Sequence, residues 1–456
     1  MPLFINKTPV VKKISGPVSI YLLIPKSTER TIPFPGLPVY MLFGDIHESN
    51  KNMCEEDKFQ GTYNIYDIDF LNILSTLSTR DEPIDFFVEG GDFHNETFKN
   101  PISQTFPMHK IWNLYVECPN RGEKKLALYS YDKTKCKKMS NIRWQSGDAR
   151  NFQHQNKTCT FAELYRNIIT HKLHEYDIYN YFVRDLKEII KSIIDSYTEE
   201  CIEKLLYTNP IGEDYIYEEV FSEKGIIMKQ LRHLFIKDKE TIMDYMKEYL
   251  DFHLNKYIIR DNIMIRELNI IQNHLGVIIS NIKEGPSSPE WEDENEKSFR
   301  YLYENRDMLE IIDTYIVKTS SVVLDLYTFC RSLKYTKKLN DKEPVPILDI
   351  CYFGNNHVKN MVYFLTNITE FYDIVYYHYD DSINYYDDSI DYYDSQDYYD
   401  NINRCLQIEK DIHLDDILMS VKEYRSTFKK KEKKNEARTS KLIFKKKTHS
   451  TKRRRK

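Results

Sequence analysis

Residues 38–50 read PVYMLFGDIHESN, an apolar run that stops abruptly at Gly44-Asp45-Ile46-His47-Glu48. Every position from Val39 to Phe43 is apolar, so the pattern predicts a strand buried on both faces, the kind found in parallel sheets covered on both sides. In open α/β sheets ligands bind beyond the carboxyl ends of the strands. A glycine, two carboxylates and an imidazole leave this strand end together, which makes it a candidate site. The pattern recurs three times. Ile84–Val88 (IDFFV) ends in Glu89-Gly90-Gly91-Asp92, Ile142–Gln145 ends in Gly147-Asp148-Ala149-Arg150, and Ile347–Phe353 (ILDICYF) ends in Gly354-Asn355-Asn356-His357. The run at Ile142 is the least apolar of the four. Four strand-to-polar junctions predict one active-site rim.

Between the first two junctions, Tyr66–Leu77 carries apolar residues at helical spacing (Phe70, Leu71, Leu74, Leu77). Strand, helix and strand in that order make a βαβ unit, whose strands lie parallel. Val18–Ile24 (VSIYLLI) reads as an edge strand ahead of it. Beyond residue 155 helical pattern dominates, from the capping box Thr160-Phe161-Ala162-Glu163 through Phe182–Tyr197, Ile226–Ile282 and Phe299–Leu333, with Gly285-Pro286-Ser287-Ser288-Pro289 as a linker by composition. A further helix starts at Val358, directly behind His357. The expected architecture is α/β: a mostly parallel sheet built from 1–152 and 343–370, a large helical insertion over 155–340, and a disordered, acidic-then-basic C-terminal region. That region comprises a Tyr/Asp low-complexity stretch over 376–401, a short helix within 402–428, and a disordered basic tail over 429–456. Tyrosines interleaved with so many aspartates cannot bury their rings without burying carboxylates, so 376–401 is expected to stay solvated and mobile.

Charge divides the chain. Lys429–Lys456 carries 15 Lys/Arg against two Glu, a net of +13, so the whole-chain charge of −5 leaves −18 on the rest. The body should repel polyanions and the tail attract them, with Lys452, Arg453, Arg454, Arg455 and Lys456 as the nucleic-acid or nuclear-localisation candidates. Eight cysteines without a CxxC pair, and no apolar leader after MPLFINKTPVVKK, predict free thiols in a reducing compartment, hence an intracellular location in a host cytoplasm, a virion or a nucleus. No apolar run approaches the length of a bilayer span. The abundance of Tyr (36), with much Ile, Asn, Lys and Asp and only 13 Gly, resembles the composition of proteins from giant DNA viruses.

His47 and His357 each follow a glycine by three residues at the end of an apolar strand. One such histidine is more often a structural hydrogen-bond partner. Two in matching contexts, with Glu89 at a third strand end, point to a shared site. Two imidazoles and a carboxylate suit two chemistries. They can hold a divalent metal of unspecified identity with a position left for water, or the carboxylate can act as base while the imidazoles orient the substrate and protonate the leaving group. The substrate is expected to be a small molecule or a peptide.

GDIH at 44–47, FFVEGG at 86–91, GDAR at 147–150 and FGNNH at 353–357 together resemble the ordered signature of the erythromycin esterase/ChaN-like/TraB/Tiki superfamily. The resemblance implies an α/β core with two GxxH motifs, a glutamate at the second strand end and an arginine motif between them. Residue by residue it marks His47, Glu89, Arg150 and His357, with Glu48 and Asp148 as secondary candidates, and implies a hydrolase of esters or amides, metal-dependent in some members, or a binding protein derived from one. It covers roughly 36–152 and 343–368. A rival resemblance joins Asp45-Ile46-His47, Gly91-Asp92 and Gly354-Asn355-Asn356-His357 to the DxH, GDxxD and GNH motifs of calcineurin-like metallophosphatases, which would make Asp45 and Asp92 metal ligands. That family's GHxH motif is missing, its asparagine motif here carries an extra Asn, and more than 250 residues separate its second and third motifs. A third reading is non-enzymatic: a virion or scaffolding protein whose basic tail binds polyanions.

Overall fold

The computed structural model describes residues 11–26, 36–46, 53–89, 133–147, 197–209, 225–254, 262–284, 289–333, 345–379, 404–408 and 413–427, with short gaps inside some of these ranges and a few isolated residues between them. In chain order the strands are β1 (Lys13–Ser15), β2 (Ser19–Pro25), β3 (Val39–Asp45), β4 (Thr62–Asn64), β5 (Ile84–Val88), β6 (Ile142–Ser146), β7 (Leu348–Gly354), β8 (Tyr372–Tyr379) and β9 (Cys405–Gln407). The helices are α1 (Ile68–Thr76), α2 (Lys133–Lys138), α3 (Glu199–Tyr207), α4 (Ile226–Leu231), α5 (Ile236–His253), α6 (Asn262–Glu284), α7 (Pro289–Glu304), α8 (Arg306–Leu333), α9 (Asn355–Tyr363), which runs into a π turn (Phe364–Ile368), and α10 (414–427).

Six strands form the main sheet in the order β6-β5-β7-β3-β2-β8. The first four run parallel, and β2 and β8 are added antiparallel to their neighbours. The sheet is therefore mostly parallel, as the all-apolar runs predict. All seven residues of β3 and all five of β5 are buried, which only a strand covered on both faces allows. Val18–Ile24 is not an edge strand: β2 lies inside the sheet, because β8 pairs along its outer side from Ser19↔Tyr379 to Pro25↔Tyr372. The outer strand includes Tyr376–Tyr379, the start of the stretch expected to be solvated, and Tyr376 is buried. Residues 380–401 and the tail from 431 onward lie outside the described residues, as do the capping box at 160–163 and the linker at 285–288.

One face of the sheet is covered by α1 through Phe70, Leu71 and Leu74, and by α10 through Leu414, Leu418 and Val421. Asp67 starts α1, its carboxylate accepting from the Asp69 amide. The other face is covered by α4, α5, α9 and the second half of α8, including Ile227, Met246, Tyr249, Leu326 and Phe329. Part of the expected insertion is thus the sheet's own second layer. The rest, α3, α6, α7 and the first half of α8, has a separate core around Leu268, Ile271, Leu275 and Ile312. Helix α8 serves both cores. At 28 residues it is about 42 Å long, enough to run from the second core across the sheet.

A small sheet, β4-β1-β9, flanks the main one. Cys405 of β9 forms a disulfide with Cys54, and Cys136 is disulfide-bonded as well. The expectation of free thiols throughout the chain is corrected by these bonds; Cys201, Cys330 and Cys351 are free and buried. The sequence hid the pairing because residues 351 apart have no spacing signature, and the fold alone brings β1 and β9 together.

Candidate functional site

The four junctions do share one edge. In register, Asp45 of β3 lies opposite Gly354 of β7, Val88 of β5 opposite Tyr352, and Val88 opposite Ser146 of β6. The pairing continues past the strands, with the Glu89 amide donating to Tyr352 O at 3.2 Å and the Gly147 amide to Val88 O at 3.0 Å. β7 is the centre of this edge: the strand that leads to His357 has the Glu89 strand on one side and the strand that leads to His47 on the other.

At the opposite edge α10 packs across the strand starts. There Arg425 of α10 donates to the carbonyls of Gly36, Leu37 and Pro346, all just before β3 and β7 begin. Burial lowers this guanidinium to about 10.

Gly354 ends β7 and caps α9, so His357 sits in the helix's first turn and not ahead of it. The Gly354 N–H donates to Glu89 Oε2 at 2.6 Å. A carboxylate at a helix N-terminus accepts an otherwise orphaned amide and lies at the positive end of the helix dipole. Its second oxygen, Glu89 Oε1, lies 3.5 Å from His357 Nε2. Both side chains are mostly buried yet keep some exposure, 11% for Glu89 and 15% for His357. A reacting group at this pair would meet little bulk water, which strengthens its electrostatic contacts.

The other ring nitrogen of His357, Nδ1, lies 2.7 Å from Asp325 Oδ1. Asp325 belongs to α8, and its Oδ2 accepts from Tyr249 O–H at 2.9 Å and from Asn360 Nδ2 at 3.2 Å. Burial raises the Asp325 carboxyl above the ordinary carboxylate range, while His357, Tyr249 and Asn360 pull it back. The result is a row of Glu89, His357 and Asp325. Asp325 was not among the residues marked from sequence. Its signal is a lone carboxylate in the apolar run Val322-Val323-Leu324-Asp325-Leu326-Tyr327, on the helix face that also carries Phe329 and Ser332.

The glycines of the motifs have a steric role. A Cβ on Gly44 would collide with Ser19 Oγ and with Asn355 Oδ1, and one on Gly147 with the ring of Phe353. Ser19 Oγ donates to Asn355 Oδ1 at 2.6 Å, so the first asparagine of GNNH ties the start of α9 to β2. Asp45 is buried and ion-paired with Arg404, whose Nε also donates to Gly16 O. The Asp45 Oδ1 atom additionally accepts the Ile46 amide.

Of the residues marked from sequence, the structure brings Glu89 and His357 together and gives Asp45 to Arg404. His47, Glu48, Asp92, Asp148, Arg150 and the basic cluster Lys452–Lys456 lie outside the described residues. In sequence His47 follows by two residues the end of β3, the strand that pairs with β7. Among the described residues no group of three His, Cys, Asp or Glu could hold a metal ion, and no helix is long and apolar enough to cross a membrane. No protein-family model, curated protein or solved structure matches this chain.

Proposed function

We propose that the carboxyl edge of the sheet is a hydrolytic centre acting on an ester or amide, with Glu89 and His357 as its catalytic pair. The observation that carries this reading is their approach to 3.5 Å at the carboxyl edge of the sheet, where α/β proteins place their ligands. The ordered motifs that resemble the erythromycin esterase/ChaN-like/TraB/Tiki superfamily add support. In this reading Glu89 takes the proton of the attacking water and passes it to His357 Nε2, which delivers it to the leaving group. Arg150 would offset the negative charge that develops on the substrate carbonyl. The donors also suit a divalent metal held by His47, Glu89 and His357, since Asp325 gives His357 the carboxylate partner that metal-binding histidines commonly have. A metal there would polarise the carbonyl and acidify a bound water.

The phosphatase alternative is weaker, because it needs Asp45 as a ligand and Arg404 already neutralises that carboxylate. The charge of the tail supports a second role, contact with nucleic acid or another polyanion, which is independent of the site.

Hydrolysis of nitrophenyl esters and peptide anilides by the full chain, with bound metal measured in the same preparation, tests the proposal. Glu89→Gln and His357→Ala should each lower kcat/KM by roughly 100-fold or more, the range of acid–base contributions. Hydrolysis unaffected by both substitutions would refute it.

A further inference from the structure

We propose that Asp325, carried by the helical insertion, is a positioning residue that fixes His357 with its proton on Nδ1 and turns Nε2 toward Glu89. The inference deepens the proposed function of this site, but its main test does not depend on that reading.

Three observations support it. The Asp325 Oδ1 to Nδ1 contact is 2.7 Å and Asp325 is 3% exposed, so water does not compete for the carboxylate. Its other oxygen is occupied by two donors, Tyr249 O–H and Asn360 Nδ2, so the carboxylate cannot rotate without losing both. Helix α8 is itself tied down along the same face. Thr328 Oγ1 donates to Gly147 O at 3.0 Å, Arg331 to Gln145 Oε1 at 3.0 Å, and Ser332 Oγ to Asp349 Oδ2 at 2.5 Å. Residues 325, 328 and 332 repeat at helical spacing, so the helix lies along the sheet from its carboxyl edge toward its amino edge. Asp325 is therefore held by the scaffold, and the ring follows it.

A carboxylate accepts and cannot donate, so a neutral His357 facing Asp325 must carry its proton on Nδ1. Nε2, on the side of Glu89, is then the nitrogen that carries the lone pair. Asparagine at 325 reverses the assignment for a reason visible in the contacts. Tyr249 O–H and Asn360 Nδ2 donate to Oδ2 in this arrangement, so keeping both bonds holds the amide oxygen at the Oδ2 position, which places the Nδ2 donor against the ring. Nδ1 must then accept, and the proton moves to Nε2. The lone pair that faced Glu89 is lost with almost no change in shape.

The test is 15N NMR of the full chain labelled at its 13 histidines, recorded at alkaline pH where the ring is neutral, with His357 identified by the signal lost in His357→Gln. The wild type should show the Nδ1–H tautomer and Asp325→Asn the Nε2–H tautomer. Adding Tyr249→Phe and Asn360→Ala frees the amide to turn and should restore the Nδ1–H form, a rescue that a merely structural role for Asp325 would not give. An Nε2–H tautomer in the wild type overturns the proposal by itself, even if the variants fail to fold. An unchanged tautomer in folded Asp325→Asn does the same. If hydrolysis is found, Asp325→Asn should lower kcat/KM by about 10- to 100-fold, as loss of a histidine's outer carboxylate does at metal sites. If the tautomers behave as stated but Glu89→Gln leaves hydrolysis intact, the positioning role stands and the hydrolytic reading falls.

Discussion

Asp349→Asn should make the protein more stable, and increasingly so as pH rises. Asp349 lies in β7 directly opposite Asp85 of β5, and both are fully buried. Arg143 takes both oxygens of Asp85, at 2.5 and 2.8 Å, and so opposes the rise that burial gives that carboxyl. Asp349 has a single donor, Ser332, which in turn accepts from Tyr40 O–H, and its Oδ1 has no hydrogen-bond partner among the described residues. Burial first, and the neighbouring Asp85 second, raise the Asp349 carboxyl well above its usual range, so the folded protein keeps this proton.

The unfolded chain gives that proton up near the ordinary carboxylate value. Above that value the native state binds the extra proton, so stability falls with rising pH, by about 1.4 kcal/mol per pH unit, until the folded-state value is passed. Asparagine keeps the acceptor for Ser332 and puts its NH2 where the acid proton was, so the unpaired donor costs about the same in both forms. The variant should therefore match the wild type near pH 4. It should gain on the wild type by about 1.4 kcal/mol for each further pH unit through the window in which Asp349 stays protonated. Urea unfolding of both proteins at pH 5, 6 and 7 measures the difference. Two stability curves that stay parallel across those pH values would show that Asp349 ionises normally and that the reasoning is wrong.

Three further outcomes follow from particular contacts. Reducing the Cys54–Cys405 bond, or replacing Cys405 with Ser, should lower Tm clearly: closing a separation of 351 residues is worth at most about 6 kcal/mol by chain entropy, and a Tm unchanged by reductant would rule out the bond. Gly44→Ala should cost about 1–3 kcal/mol in denaturant unfolding, as overpacking does, since the new methyl displaces the Ser19–Asn355 hydrogen bond; a neutral effect would mean that α9 starts elsewhere. Deleting 429–456 should abolish salt-dependent binding to DNA or RNA and leave the Tm of the core unchanged, and full binding by the truncated chain would remove the tail from that role.

The parts of the fold that follow from local pattern were legible. The runs at Val39, Ile84 and Ile347 predict buried parallel strands, and the spacing of Phe70, Leu71 and Leu74 predicts α1. What sequence could not supply was long-range partnership. Val18–Ile24 reads equally well as an outer or an inner strand, and only the pairing with β8 decides it. Cys54 and Cys405 meet because β1 draws residues from both ends of the chain together. Among the candidate site residues, Glu89 and His357 were legible because each ends or follows an apolar run. Asp45 shares that signal, yet Arg404 claims it, and nothing near Asp45 in sequence announces an arginine more than 350 residues away. Asp325 was missed because a helix in an insertion looks like packing until the sheet shows which face it presents.

That Glu89 and His357 act as one site is tested most directly by a double-mutant cycle on hydrolysis. Full-length wild type, Glu89→Gln, His357→Ala and the double variant are compared in kcat/KM on one ester substrate, with near-ultraviolet circular dichroism confirming that each is folded. Groups that act as a unit lose their function once, so the double variant should be no slower than the slower single variant. Losses that multiply would mean that the two side chains serve separate purposes and that their approach at the sheet edge is not a catalytic pairing.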